Sequence, residues 1–143
     1  MPDYRILHPV FVLALWTMLV LSRIAYVRIK AGFKGEITPA DFRSGESSRV
    51  PEHVSIPNRN YMNLLELPVL FYVACLILYV THTHSPALLM LAWFYVALRI
   101  VHSLIHLGYN NVMHRLAAFA LSNLILLVIW IMTGISILAN PGH

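Results

Sequence analysis

Cysteine and charged residues are unusually scarce in this sequence. Cys75 is the only cysteine, which excludes a framework of disulfide bonds. Charged residues make up 11% of the 143 positions and hydrophobic residues 59%. Soluble domains average about 25% charged and about 45–50% apolar residues. A soluble domain of this size would lack the polar residues to cover its own surface, so the sequence predicts an integral membrane protein.

Four apolar segments are each long enough to cross a bilayer as an α-helix, which takes about 20 residues. The third segment starts after Ser85, with Pro86 at the first helical position, where proline is favoured. The sequence therefore predicts an all-α fold, an antiparallel four-helix bundle in which residues 1–143 form a single membrane domain. The predicted helices run over about residues 6–27, 60–80, 86–107 and 116–138.

A polar stretch of about residues 28–58 separates the first two segments. Its glycines and prolines are typical of irregular structure. Within it, Thr38 and Pro39 have the pattern of a helix start, with the threonine as cap and the proline in first position. The sequence thus predicts one short helix within an otherwise irregular loop.

The basic residues are concentrated on one side of the predicted bundle. Arg5 is the only one on the other side, so the positive-inside rule places the long loop in the cytoplasm and both termini outside. The orientation of the protein in the membrane accounts for the net charge of +4 better than binding to nucleic acid does, so we expect no nucleic-acid partner. Short loops and the lack of targeting signals fit a bacterial inner membrane. The basic residues on the loop side are Arg23, Arg28, Lys30, Lys34, Arg43, Arg49, Arg59 and Arg115.

Polar side chains recur at helical spacing in the loop-side half of the spans. Those of the second helix are spaced i, i+4, i+7 and those of the third i, i+3, i+7, so each set forms one stripe. Charges at membrane depth cost several kcal/mol unless they are paired or hydrated. We therefore expect the stripes to face a shared cavity that opens to the cytoplasm. They are Arg59, Asn63 and Glu66 on the second helix, and Arg99, His102 and His106 on the third.

The charge balance of these stripes favours a binding site over a purely structural network. Glu66 has Arg59, Arg99 and Arg115 as expected countercharges, and one carboxylate cannot neutralise three arginines. Surplus positive charge indicates an anionic ligand, and histidines add groups that titrate near neutrality. The alternative is an ion-pair network that locks the helices together, with Arg59 and Arg115 extending to the headgroups.

His102 and His106 lie one turn apart and could also bind a metal ion from one helix face. A third ligand is not obvious, although His114 and Glu66 are candidates. His-x3-His also arises often by chance. We therefore assign no metal to the site.

Two motifs resemble a known family. The segment from Arg59 through Asn63 and Glu66 to Pro68 resembles the Arg-x3-Asn-x2-Glu motif, with a nearby proline, of the MAPEG superfamily, the membrane-associated proteins of eicosanoid and glutathione metabolism. The run Arg99-x2-His-Ser-x2-His-Leu-Gly, followed by Arg115, is similar to that of the microsomal prostaglandin E synthase and glutathione transferase branch. That branch has a tyrosine where this chain has the second histidine of the run.

The resemblance implies a homotrimer that binds glutathione, as a cosubstrate, between neighbouring subunits near the cytoplasmic face. Arg115 occupies the place of the arginine that faces the glutathione sulfur, where a guanidinium would keep the thiol ionised as a nucleophile. The residues that would hold glutathione are Arg59, Asn63, Glu66, Arg99, His102 and His106.

Three departures from the pattern leave two functions open. Leu116 and Phe119 stand where the prostaglandin synthase branch has a serine and a tyrosine near the sulfur, and Met62 replaces an arginine. The favoured function is a glutathione-dependent transferase or peroxidase that acts on a hydrophobic electrophile entering from the lipid bilayer. The alternative is a non-catalytic lipid-binding or scaffold protein of the same fold.

Overall fold

The fold is entirely helical in residues 4–83 and 85–139, the part of the chain that the computed structural model describes. Four stretches are long and apolar enough to cross a membrane, which confirms the predicted all-α bundle of four spans. They are Tyr4–Phe33, Glu52–Val80, Pro86–Leu107 and Val112–Ala139. The α-helices are α1 (His8–Phe33), α2 (Glu52–Leu65), α3 (Pro68–Val80), α4 (Pro86–Leu107) and α5 (Val112–Ala139), with 3₁₀ turns at Tyr4–Leu7 and Pro39–Phe42.

The second span differs from its prediction because it consists of two helices, α2 and α3. Pro68 is the first residue of α3 and has no backbone N–H to donate to the preceding turn. Glu66 leaves the helical region, at φ −81° and ψ −99°, and ends α2. The polar stripe of the second span is therefore interrupted at its last member.

Two of the helices are longer at their loop-side ends than the sequence predicts. α1 continues to Phe33 and α2 already starts at Glu52, so the loop covers 34–51 rather than 28–58. Hydropathy misses these ends because they are amphipathic helices that project beyond the apolar run. Their apolar faces pack together in a small cluster of Val27, Ala31, Val50 and Val54.

The bundle has an apolar core and an apolar outer surface. α4 packs mainly against α5, and their contact is the most extensive between any two helices. Phe11, Leu15 and Leu19 lie on one face of α1 and are each more than half exposed. Exposed apolar residues at this spacing fit a helix that contacts lipid rather than water.

The predicted short helix after Thr38 is confirmed as the 3₁₀ turn Pro39–Phe42. The Asp41 carboxylate accepts hydrogen bonds from the Thr38 backbone N–H (2.8 Å) and hydroxyl (2.9 Å), and Arg49 Nη2 lies 3.0 Å from its other oxygen. The hydrogen bonds from Thr38, with the positive charge of Arg49, hold the pKa of Asp41 below its ordinary value of 3.8.

We expect the structure of this loop to depend on pH through Asp41. Because the pKa is lower in the folded loop, the carboxylate stabilises it at neutral pH. That contribution is lost as the pH falls below about 4 and through the folded-state pKa. Amide hydrogen exchange of residues 38–50, corrected for the intrinsic rate, should be constant from neutral pH to about pH 5 and accelerate below about pH 4. Asp41→Asn should show the faster exchange already at neutral pH, and equal rates in the two proteins would contradict the assignment.

Candidate functional site

A polar pocket of about 610 Å³ lies between α2, α4 and the first turns of α5. It brings together five of the seven residues predicted for the site. These are Arg59, Asn63, His102, His106 and Arg115. The remaining lining residues are Ile56, Asn58, Met62, Asn110, Val112, Leu116 and Phe119.

Helical spacing explains why these side chains converge. His102 and His106 are one turn apart on α4, both buried, with their ring centroids 5.9 Å apart. Phe119 of α5 packs against the first of these rings at 5.8 Å. Arg59 and Asn63 are one turn apart on α2 and close the pocket from the third side.

Arg115 is oriented by the turn that joins α4 to α5. Its Nη1 donates a hydrogen bond of 2.7 Å to the Asn110 side-chain oxygen. Asn110 has a positive φ of 50°, a conformation that asparagine tolerates better than most residues. The side-chain oxygen of Asn111 caps α5 by accepting from the N–H groups of Met113 (3.0 Å) and His114 (3.1 Å). Arg115 is thus positioned by a neutral partner that leaves its charge uncompensated.

The pocket carries positive charge and, within the described residues, no carboxylate lines it. Every ion pair that the structure describes lies at the loop instead: Arg28–Glu46, Lys34–Glu36, Arg49–Asp41 and His53–Glu36. The Nδ1 atom of His106 is buried and has no hydrogen-bond partner. An anionic ligand with hydrogen-bonding groups would balance the positive charge of the pocket and could give His106 a hydrogen-bond partner.

Two predicted site residues do not line the pocket. The Glu66 side chain is exposed, and among the described residues no ion pair joins it to an arginine, so its expected countercharges were wrong. Glu66 is the C-terminal cap of α2, with its N–H still bonded to the Met62 carbonyl at 3.1 Å, and its side chain is exposed at that end of the helix instead of lining the pocket.

Arg99 lies in the interior of the bundle and is completely buried. Its Nε donates to the Tyr95 hydroxyl at 3.1 Å, and its Nη2 donates to the Asn123 side-chain oxygen at 2.9 Å. The guanidinium also lies 5.1 Å from the ring centroid of Phe119, which does line the pocket. Arg99 therefore supports a wall of the pocket and does not face its interior.

Beside the pocket lies a hydrogen-bond node, a group of three side chains centred on Ser103, that was not predicted from the sequence. Ser103 Oγ accepts from Trp16 Nε1 at 2.9 Å and from Asn60 Nδ2 at 2.6 Å, which joins α1, α2 and α4. Asn60 and Ser103 are both completely buried and are the chain neighbours of Arg59 and His102. The position of Asn60 in a predicted membrane span could have indicated this hydrogen bond, since side-chain amides commonly hydrogen-bond between membrane helices.

We expect Ser103→Ala to destabilise the bundle by about 2 kcal/mol, because it leaves the buried amide of Asn60 and the part-buried N–H of Trp16 without an acceptor. Unfolding in detergent, followed by circular dichroism, measures the change. Ser122→Ala is the matched control, because this equally buried hydroxyl bonds only to the Phe119 carbonyl of its own helix. If the two variants lost equal stability, the node would have no special role in holding the helices together.

The two histidines of α4 do not belong to a larger group of metal-ligating side chains. Across the described residues, no three His, Cys, Asp or Glu side chains are placed to share a metal ion. His114, one candidate for a third ligand, instead pairs through Nδ1 with the Tyr109 hydroxyl at 2.9 Å.

A comparison with protein-family models identifies the family of the chain. The model of the MAPEG family matches residues 6–135, a range that includes every residue lining the pocket. No curated protein matches the sequence, and no solved structure does.

Proposed function

The chain belongs to the MAPEG family, and from this premise we propose that its pocket binds glutathione and activates it for transfer to, or reduction of, a hydrophobic electrophile. The observation that carries the proposal is the meeting of two arginines and two histidines in a pocket that no described carboxylate lines. Family membership and four helices able to span a membrane identify a membrane protein, and this supports a second substrate that enters from the lipid bilayer.

The residues present fit the functional groups of glutathione, which has two carboxylates, an ammonium and a thiol. Guanidinium groups bind carboxylates through two parallel hydrogen bonds, a role open to the exposed Arg59. Asn63 donates its amide N–H to the Arg59 carbonyl at 2.9 Å, which leaves its side-chain oxygen to accept from the ammonium. The volume of about 610 Å³ lies within the range of about 300–1,000 Å³ typical of small-molecule sites.

Arg115 is the group we assign to the thiol. Its positive charge, not neutralised by Asn110, stabilises the thiolate that acts as the nucleophile. Among the described lining residues there is no serine, threonine or tyrosine to share this task. Leu116 and Phe119 beside it form an apolar wall that suits the hydrophobic electrophile.

A homotrimer with glutathione between subunits is part of the proposal. The ammonium of glutathione would normally be paired with a carboxylate, and the described lining of this pocket offers none. A neighbouring subunit in the trimer would supply the missing acceptor. Chemical cross-linking of the purified protein should give a ladder that ends at three subunits.

Binding of glutathione tests the proposal directly. Isothermal titration calorimetry of the detergent-purified protein should detect glutathione, and Arg59→Gln should weaken its binding by roughly tenfold or more, since a hydrogen bond to a charged group contributes about 1.5–3 kcal/mol. Arg43→Gln is the control, because this exposed arginine lies in the loop and outside the pocket. A wild-type protein that does not bind glutathione would refute the proposal.

A non-catalytic, lipid-binding function is the second candidate. It is favoured by the apolar side chains of Met62, Leu116 and Phe119 and by the lack of a described hydroxyl in the pocket. Binding of glutathione without formation of a thiolate would support a binding protein over an enzyme. That distinction depends on Arg115.

A further inference from the structure

A second polar pocket, of about 360 Å³, lies against the last three turns of α1 and shares no residue with the first. Arg23, Lys30 and Lys34 line it from α1, at positions i, i+7 and i+11. At 3.6 residues per turn these positions fall on one face of the helix. The opposite side of the pocket is formed by Glu36 and His53.

Glu36, the single carboxylate among the described residues that line this pocket, already has two of its neighbours as partners. Glu36 lies 3.6 Å from Lys34 and 3.0 Å from His53. Arg23 has no hydrogen bond or ion pair to any described residue. For the Lys30 ammonium, the interaction with a described residue is with the ring of Tyr26, 5.8 Å from its centroid. Two positive charges therefore remain available to a ligand.

The position of the pocket along α1 indicates where the ligand comes from. α1 is part of a membrane-spanning stretch that ends at Phe33. Tyr26, Ile29 and Phe33 are each more than half exposed beside the basic stripe, and an apolar surface at this place in a membrane-spanning stretch fits contact with lipid. The cations thus lie next to a lipid-contacting surface near the end of the span, where phosphate headgroups are found.

We propose that this pocket binds the headgroup of an anionic phospholipid, with Arg23 and Lys30 contacting its phosphate. An anionic charge complements the two unpaired cations, and acyl chains complement the apolar surface beside them. The Tyr26 ring between the cations provides an apolar floor for the glycerol part of the lipid. The site does not depend on the glutathione pocket and would exist with either function of the protein.

The test is a titration of the protein, in a nonionic detergent, with three probes: short-chain phosphatidylglycerol, short-chain phosphatidylcholine and inorganic phosphate. Each cation near an anionic lipid contributes about fivefold to binding. We expect phosphatidylglycerol to bind about 25-fold more tightly than phosphatidylcholine. The double variant Arg23→Gln/Lys30→Gln should lose this preference, and the matched variant Arg43→Gln should keep it. Equal binding of the two lipids to the wild type would overturn the proposal, as would equally tight binding of inorganic phosphate.

A variant that binds the lipid more tightly tests the site independently of protein stability, because a folding defect would only weaken binding. Glu36→Gln removes the only carboxylate that lines the pocket and releases Lys34. It should bind phosphatidylglycerol about fivefold more tightly than the wild type, with phosphatidylcholine binding unchanged. Unchanged or weaker binding of phosphatidylglycerol would overturn the proposal, because the charge of the pocket would then not control its ligand.

Discussion

Replacing Arg115 with alanine should abolish the ultraviolet absorbance of thiolate that glutathione develops on the wild-type protein. No described carboxylate neutralises the positive charge of the Arg115 guanidinium, since its hydrogen-bond partner is the neutral amide of Asn110. Removing one preorganised group that stabilises developing charge typically lowers turnover by about 10²–10³-fold. We expect a loss of that size in turnover of a hydrophobic electrophile by Arg115→Ala, measured in detergent micelles or vesicles.

Two further variants distinguish thiol activation from glutathione binding. Arg59→Gln should weaken binding, but at saturating glutathione it should still form the thiolate, because it retains Arg115, the group assigned to the thiol. Arg115→Lys keeps a positive charge and should retain part of the absorbance, although it lacks the planar fork of donors. Full thiolate absorbance in Arg115→Ala would remove the catalytic role of this residue. Binding without thiolate in the wild type would leave the lipid-binding function.

The spans and most of the candidate site could be predicted because both depend on local periodicity. Hydropathy alone locates helices that must cross a bilayer. Residues three or four positions apart share a helix face whatever the tertiary structure. Arg59 with Asn63, and His102 with His106, are pairs of this kind, and all four line one pocket.

The remaining features depend on how the helices are broken and rotated, which periodicity does not determine. Glu66 caps the end of α2, just before the break at Pro68, and is exposed there instead of lining the pocket. Asn60, one residue from Arg59, points into the core and bonds to Ser103, and only the rotation of α2 against α4 decides which of the two residues is buried. The same rotation of α4 places Arg99 in the interior although it shares the stripe of His102.

The buried guanidinium of Arg99 leads to the largest expected change in stability. Asn123→Leu removes the acceptor of Arg99 Nη2, and the Tyr95 hydroxyl remains the only hydrogen-bond acceptor that the structure describes for this side chain. Its Nη1 is already buried without a partner, so no spare acceptor compensates for the loss. A hydrogen bond to a charged group contributes about 1.5–3 kcal/mol, and because the guanidinium is buried we expect a loss of about 3 kcal/mol, measured by equilibrium unfolding in mixed micelles.

The double variant Arg99→Met/Asn123→Leu shows whether the charge itself is needed. Replacing a buried polar pair with apolar side chains of similar volume is often neutral, so the double variant should be more stable than Asn123→Leu alone. Asn63→Leu should change stability by less than about 0.5 kcal/mol, because Asn63 bonds only to its own helix. If glutathione still binds to the stable double variant, Arg99 supports the Phe119 wall and contributes no essential charge to the ligand. If binding is lost while the fold is retained, the positive potential of Arg99 acts on the pocket through Phe119, which lies 5.1 Å away.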